Sequence, residues 1–267
     1  MNIKDKVFVV TGGGSGMGRE LVMQLIAKGA KVAVVDINEE TMKETVKLAD
    51  CSNACISTHK ANIMDKQAVD ALPEAVIAKH GAVDAIINNA GIIQPFVKFS
   101  ELEFDAIERV LNVNLYGVLY MTKAFLPYLL KRPEASITNT SSMGGFLPVP
   151  GQTIYGASKA AVKLFTEGLN SELKGTNVSV TVVFPGAIGT NIAVNSGVSI
   201  GNNTNAEESS HKVLPADEAA KIIIDAIEKN KYRVLVGSDA KFMDFLYRLN
   251  PKNAAGFIYK QMKDLLG

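Results

Sequence analysis

A doubly wound α/β fold around a mostly parallel sheet of about seven strands is predicted by three observations. Short β-branched runs alternate with helix-length segments along the chain. The runs are near-continuously apolar, as strands covered on both faces should be. A glycine-rich turn joins the first run to the first helical segment, as in sheets that hold a ligand at their strand ends.

The elements follow in order. Val7 to Val10 predicts the first strand, and Gly18 to Lys28 the first helix, with Leu21, Val22, Leu25 and Ile26 as its apolar stripe and Gly29 as its stop. Lys31 to Asp36 is the second strand and Glu39 to Ala49 the second helix. Further strands are read at Ala54–His59, Val83–Asn88, Ala135–Thr140, Val178–Phe184 and Tyr232–Val236. Helices are read at Asp65–Lys79, Glu101–Leu130, Thr153–Leu173 and Ala216–Lys229. Thr190 to Lys212 has no period and is rich in Asn, Ser and Gly, so residues 190–213 read as a substrate-binding lid, or else as a plain surface loop. Residues 240–267 read as a helical extension, with Phe242, Phe245, Leu246 and Leu249 as one stripe and Phe257, Ile258, Tyr259, Met262, Leu265 and Leu266 as a second apolar cluster. Packing on the domain or on a partner subunit is expected of it; a membrane-surface role or a roof over a lipophilic pocket are the alternatives.

With 267 residues, 47% of them hydrophobic, the chain suits one domain, 1–267, with a sizeable core. A net charge of +1 without charge blocks leaves nucleic acid no electrostatic footprint. Cys51 and Cys55 lack redox or zinc spacing and are expected as two reduced, buried thiols. His59, His80 and His211 pair with nothing at ligand spacing, so no metal is expected. Without a signal-like core or a run of roughly 20 apolar residues, a cytoplasmic location with no membrane span is expected.

The turn Thr11-Gly12-Gly13-Gly14-Ser15-Gly16-Met17-Gly18 places backbone N–H groups at a helix start, where a pyrophosphate can sit. Asp36 ends the second strand, eighteen residues beyond Gly18. Its carboxylate suits the adenosine ribose hydroxyls of NAD and repels the 2′-phosphate of NADP, so NAD is expected. Neither Ile37 nor Asn38 is basic, and Ser15 occupies the turn position from which a basic residue could grip that phosphate. Asp36 can also cap the following helix.

In this setting Thr11, Gly12, Gly16 and Gly18 form TGxxxGxG; Asn88-Asn89-Ala90-Gly91 forms NNAG; Tyr155 to Lys159 forms YxxxK; and Pro185-Gly186 with Thr190 forms PGxxxT. Four motifs in this order resemble the short-chain dehydrogenase/reductase family. The resemblance implies a Rossmann-type domain, hydride transfer between NAD(H) and a secondary alcohol or ketone, and a homodimer or homotetramer. It implies cofactor contacts at Asn89, Ala90 and Gly91, and at Pro185, Gly186, Ile188 and Thr190. Asn62 and Ile63 stand where the family often has an aspartate touching adenine. It also implies Ser142, rather than Ser141, as hydrogen-bond donor to the substrate oxygen, and Asn114, rather than Asn112, as the helix asparagine of a proton relay.

Tyr155 and Lys159, at i and i+4, share a helix face. A phenol near pKa 10 is a poor base, and a nearby ammonium favours the phenolate. Phe146, Leu147, Pro148, Val149 and Pro150, with Ile192 and Val194, suggest an apolar substrate. A non-catalytic NAD(H)-binding sensor or scaffold and a nucleotide-sugar epimerase are the rival readings; the complete set Asn114, Ser142, Tyr155 and Lys159 disfavours the first, and the short chain the second.

Overall fold

The computed structural model describes residues 1–52, 54–198 and 213–263. In chain order the elements are β1 (Val7–Thr11), α1 (Gly16–Ala27), β2 (Lys31–Asp36), α2 (Glu39–Ala49), β3 (Ile56–Lys60), α3 (Lys66–His80), β4 (Ala85–Asn88), α4 (Phe104–Leu111), α5 (Gly117–Leu129), β5 (Ala135–Thr140), α6 (Thr153–Glu172), β6 (Val178–Pro185), α7 (Ile192–Ser196), α8 (Ala216–Glu228), β7 (Arg233–Val236), α9 (Ser238–Leu249) and α10 (Pro251–Met262).

The strands form one sheet in the order β3-β2-β1-β4-β5-β6-β7. Every pairing is parallel. β1 and β4 are neighbours although the chain runs outward to β3 between them, so a crevice opens at their carboxyl ends. Both faces are covered, which is why β1 and β4 are buried at every position. On one face α1 and α8 pack Leu21, Leu25, Ile223 and Ile227 against Phe8, Val10, Val34 and Val236. On the other, α3, α5 and α6 pack Val69, Phe125 and Leu169 against Val9, Ile86 and Ile137.

Three expectations change. The single helix over Glu101–Leu130 is two helices joined by a π-helical stretch, Asn112–Tyr116. Leu102 and Glu103 are extended, so the first begins only at Phe104. Cys51 and Cys55 are not reduced, buried thiols but a disulfide, and both are half-buried. Asp50, left-handed at φ 43°, turns the chain after α2, and the two Cα atoms come within 6.5 Å, inside disulfide reach. Only part of the α9 stripe packs on the domain: Leu246 joins the core cluster of Leu147 and Met243, whereas Phe242, Phe245 and Leu249 are exposed. Ala254 and Ile258 belong to the same cluster. Of the expected lid, Ser199–Lys212 lies outside the described residues, as do Leu265 and Leu266.

A second titratable cluster sits on the sheet edge. Ser57 Oγ lies 2.8 Å from His59 Nε2 and 2.7 Å from His80 Nε2. One hydroxyl proton serves one ring, so the other ring must donate. His80 Nδ1 is buried without a partner among the described residues, and a bare lone pair there is less costly than an N–H. That assigns the donor role to His80. Burial pushes the His80 imidazole down to about 4, with neighbouring His59, Lys31 and Lys79 adding to it.

Candidate active site

The glycine turn closes over the carboxyl end of β1. Gly12 and Gly16 have φ of 67° and 50°, a region that side chains rarely adopt. A Cβ at Gly18 would lie 2.0 Å from the Gly12 carbonyl oxygen, so α1 can approach the turn only with glycine there. Met17, at the start of α1, packs against the core. These glycines leave the backbone bare toward the crevice, a cradle that fits a pyrophosphate.

Asp36 binds the turn directly. Its Oδ2 accepts from Gly14 N at 3.0 Å and its Oδ1 from Asn38 N at 3.0 Å. It does not cap α2; Asn38 does, accepting from Glu40 N and Thr41 N. Ile37 beside it is exposed, as a face for a planar ring can be. Asn62 Oδ1 accepts from Met64 N, and Ile63 is buried, lying where a Cβ on Gly117 would go.

Thr11 Oγ1 accepts from Asn89 N and Ala90 N, and Asn89 Nδ2 donates to Thr11 O. The glycine turn and the loop after β4 therefore form one hydrogen-bonded unit. Asn88 lies deeper, fully inside the sheet, donating to Asn139 Oδ1 and Thr122 Oγ1. Gly91 stands at the far end of the loop, where a Cβ would come within 3.1 Å of Lys159 Nζ and 3.3 Å of Asn114 Oδ1.

The far wall comes from β6 and its loop. Pro185 closes the strand, and Gly186 leaves room for Asp239, whose Oδ2 accepts from Ala187 N at 2.7 Å. Ile188 bridges to Leu214, and Thr190 packs over Gly16. α7 then crosses the crevice: Asn195 donates to Ser15 Oγ, and Ser196 Oγ accepts from Ile93 N.

Ser142, Tyr155, Lys159 and Asn114 meet at the carboxyl ends of β4 and β5. Ser142 Oγ accepts from Gly144 N at 3.0 Å, which leaves its proton free to donate. Ser141 is turned away, donating to the Lys159 carbonyl. Lys159 Nζ donates to Thr140 O at 2.9 Å and lies 6.0 Å from the Tyr155 ring centre. Asn114 is fully buried in the π-helical stretch, a geometry frequent at functional sites. Its amide pairs with both Ile92 N and Ile92 O at 2.9 Å and donates to Ser158 Oγ.

Burial governs the charges here. It pushes the Tyr155 phenol up, with a partial offset from the Ser142 hydrogen bond. It brings the Lys159 ammonium down to about 8. Tyr155 as a whole residue is half-buried although its phenol lies deep in the site.

Sequence reading missed several residues that hold this arrangement. Arg19 grips the glycine turn through Gly14 O and pairs with Glu44 at 2.8 Å. Asp239 holds the Ala187 turn, and Gln94 is bonded to the start of α6. Only Arg19, one residue after the glycine turn, carried a local signal. Of the expected substrate border, Leu147 is buried, and Phe146 packs on Phe184 and Tyr247.

The family model for short chain dehydrogenase matches residues 6–199. The chain belongs to the short-chain dehydrogenase family. SadH of Mycobacterium tuberculosis, named as an oxidoreductase, is 38% identical to this short-chain dehydrogenase over 93% of this chain and 92% of its own length. The 3-oxoacyl-[acyl-carrier-protein] reductase FabG of Thermotoga maritima is 37% identical over 71% of this chain and 77% of its own. Among solved structures, a short-chain dehydrogenase/reductase from Burkholderia phymatum in complex with NAD aligns at a TM-score of 0.80, with 27% identity, over 88% of this chain and 90% of that one. These relatives place the chain in an oxidoreductase family. Among the described residues no helix is long and apolar enough to cross a membrane, and no group of three metal-ligating side chains converges.

Proposed function

We propose that this chain transfers a hydride between NAD(H) and the carbinol carbon of an apolar secondary alcohol or its ketone. The observation that carries the reading is the convergence of Ser142, Tyr155, Lys159 and Asn114 beside a glycine cradle. The cradle, Asp36 at its rim and Thr190 over Gly16 fit a dinucleotide. Asp36 favours NAD by repelling a 2′-phosphate, and this carboxylate is what supports NAD, since similar structures hold NAD, NADH or NADP.

When bound, the nicotinamide supplies or accepts the hydride. The protein's part is to manage the proton and the oxygen. In reduction Tyr155 gives its phenolic proton to the carbonyl oxygen as the carbon gains hydride; in oxidation the phenolate takes it back. Ser142 donates to that oxygen and stabilises its developing charge. Burial alone keeps the phenol protonated, so the positive charge of Lys159 must offset it for the phenolate to form. A lysine near 8 is also able to lose and regain a proton close to neutral pH. Asn114 holds Ile92 and Ser158 in place around it.

The test is NADH absorbance with acetophenone and 2-octanone, wild type beside Tyr155→Phe. Turnover should fall at least about 1,000-fold in the variant while NADH affinity stays within about two-fold. Equal turnover in both proteins would refute the mechanism.

A further inference from the structure

The helix that carries Tyr155 and Lys159 has no cap of its own. Gln152 stands at the N-cap of α6, and its side chain makes no capping bond. The acceptor comes instead from far along the chain: Gln94 Oε1 accepts from Ile154 N at 2.8 Å and from Tyr155 N at 3.0 Å. Two N–H donors on one atom fix that atom as oxygen and so fix the orientation of the amide. Gln152 Nε2 donates to the Gln94 carbonyl at 2.8 Å, tying the two glutamines together. Gln94 is fully buried and Gln152 nearly so.

A cap on a helix ordinarily comes from its own first residues and moves with it. This one belongs to the loop after β4, and that loop is held independently. Two residues earlier, Ile92 is bonded through both its N–H and its carbonyl to Asn114. Ile93 N donates to Ser196 Oγ on α7. The amide of Tyr155 is thus referenced to the wall of the crevice rather than to its own helix. A displacement of about 1 Å at a reacting group can cost on the order of 100-fold in rate.

We propose that Gln94 is a positioning residue for Tyr155. Through the Ile154 and Tyr155 amides it sets where the phenol stands relative to Ser142 and Lys159. The inference rests on the hydride-transfer reading above, and its test separates the two.

Gln94→Met keeps the length and removes the acceptor; Gln94→Glu keeps acceptor oxygens at the same place. Each is compared with wild type in NADH oxidation with acetophenone and 2-octanone, in NADH affinity, and in amide hydrogen exchange at Ile154 and Tyr155. In Gln94→Met, kcat should fall about 10–100-fold with NADH affinity within about two-fold, and protection at the two amides should be lost. Gln94→Glu should recover most of kcat. Unchanged kcat in a Met variant that has only lost thermal stability overturns the proposal, and so does a folded Glu variant as slow as the Met one. If wild type turns over neither ketone, the substrate class proposed above falls. Exchange then decides alone: full protection of both amides in Gln94→Met overturns the positioning role. Should Gln94→Met not fold, the two amides in wild type must be as slow to exchange as the interior of α6; fast exchange there overturns it equally.

Discussion

Two clusters among the described residues join a hydroxyl to buried basic groups, and they differ in where the sheet places them. Ser142, Tyr155 and Lys159 lie at the carboxyl ends of the central strands, beside the crevice between β1 and β4. Ser57 and His59 lie on β3, an edge strand, and His80 ends α3 beside them, with Ser57 level with Ala33 partway along β2. Burial lowers the basic groups in both, Lys159 to about 8 and His80 to about 4. The difference is in what surrounds them. The first cluster faces a glycine cradle and a wall of oriented backbone amides. The second lines a surface hollow with Val46 and Lys79, away from the strand ends, and its hydrogen bonds join its own members. Reactive side-chain types do not make a site; an opening at the strand ends with groups aimed into it does.

The sharpest way to break this contrast is Lys159→Met. Turnover should fall by at least about 100-fold, while the protein becomes more stable at pH 7. The sign follows from a depressed lysine. Its charged form is disfavoured in the fold, so stability falls as pH drops from about 10.5 to about 8 and stays low below that. The cost at pH 7 is about 3 kcal/mol, and loss of the Thr140 hydrogen bond returns part of it. Thermal midpoints should therefore rise in the variant at pH 7, and the gain should shrink above pH 8. No gain at pH 7 would mean that the ammonium is well solvated.

The outer cluster should behave oppositely, altering stability and not turnover. An unfolded histidine titrates near 6.5 and the folded His80 near 4, so its contribution is complete above about 6.5 and is lost as pH falls toward 4. About 2 kcal/mol should disappear over that window, beyond what His80→Gln loses, in urea midpoints measured at pH 7 and 4.5. Turnover at pH 7 should be unchanged within about two-fold. Parallel pH curves for the two proteins would remove His80 from the acid response.

The smallest effect is expected at Asp36. Asp36→Asn keeps an acceptor for Gly14 N while removing the charge. NADH affinity should weaken about ten-fold, roughly 1.4 kcal/mol, and preference over NADPH should narrow. Direct titration of both cofactors checks this; an unaltered preference would place the discrimination elsewhere.

What the sequence disclosed was local. The glycine turn, the strand end at Asp36 and the Tyr155–Lys159 spacing each need only a few consecutive residues, and each stands where it was read. The π-helical stretch at Asn112–Tyr116 was invisible because one widened turn barely alters an apolar stripe. The bond between Gln94 and α6 spans sixty positions, and no periodicity reports it. Asp239 is an acid in the first turn of α9, an ordinary place for one, and only its position against Ala187 gives it another role. The outward turn of Phe242 and Phe245 was hidden because a stripe shows that residues share a face, not what the face meets.

The strand order also sets a schedule for synthesis. β1 is made first yet stands mid-sheet, and β4, its second neighbour, follows only after α3. The apolar side of α1 waits longer still, since Ile223 and Ile227 of α8 complete its burial. A nascent chain therefore carries Leu21 and Leu25 only partly covered until α8 has followed about 200 residues later, a span of roughly 10–40 seconds at 5–20 residues per second.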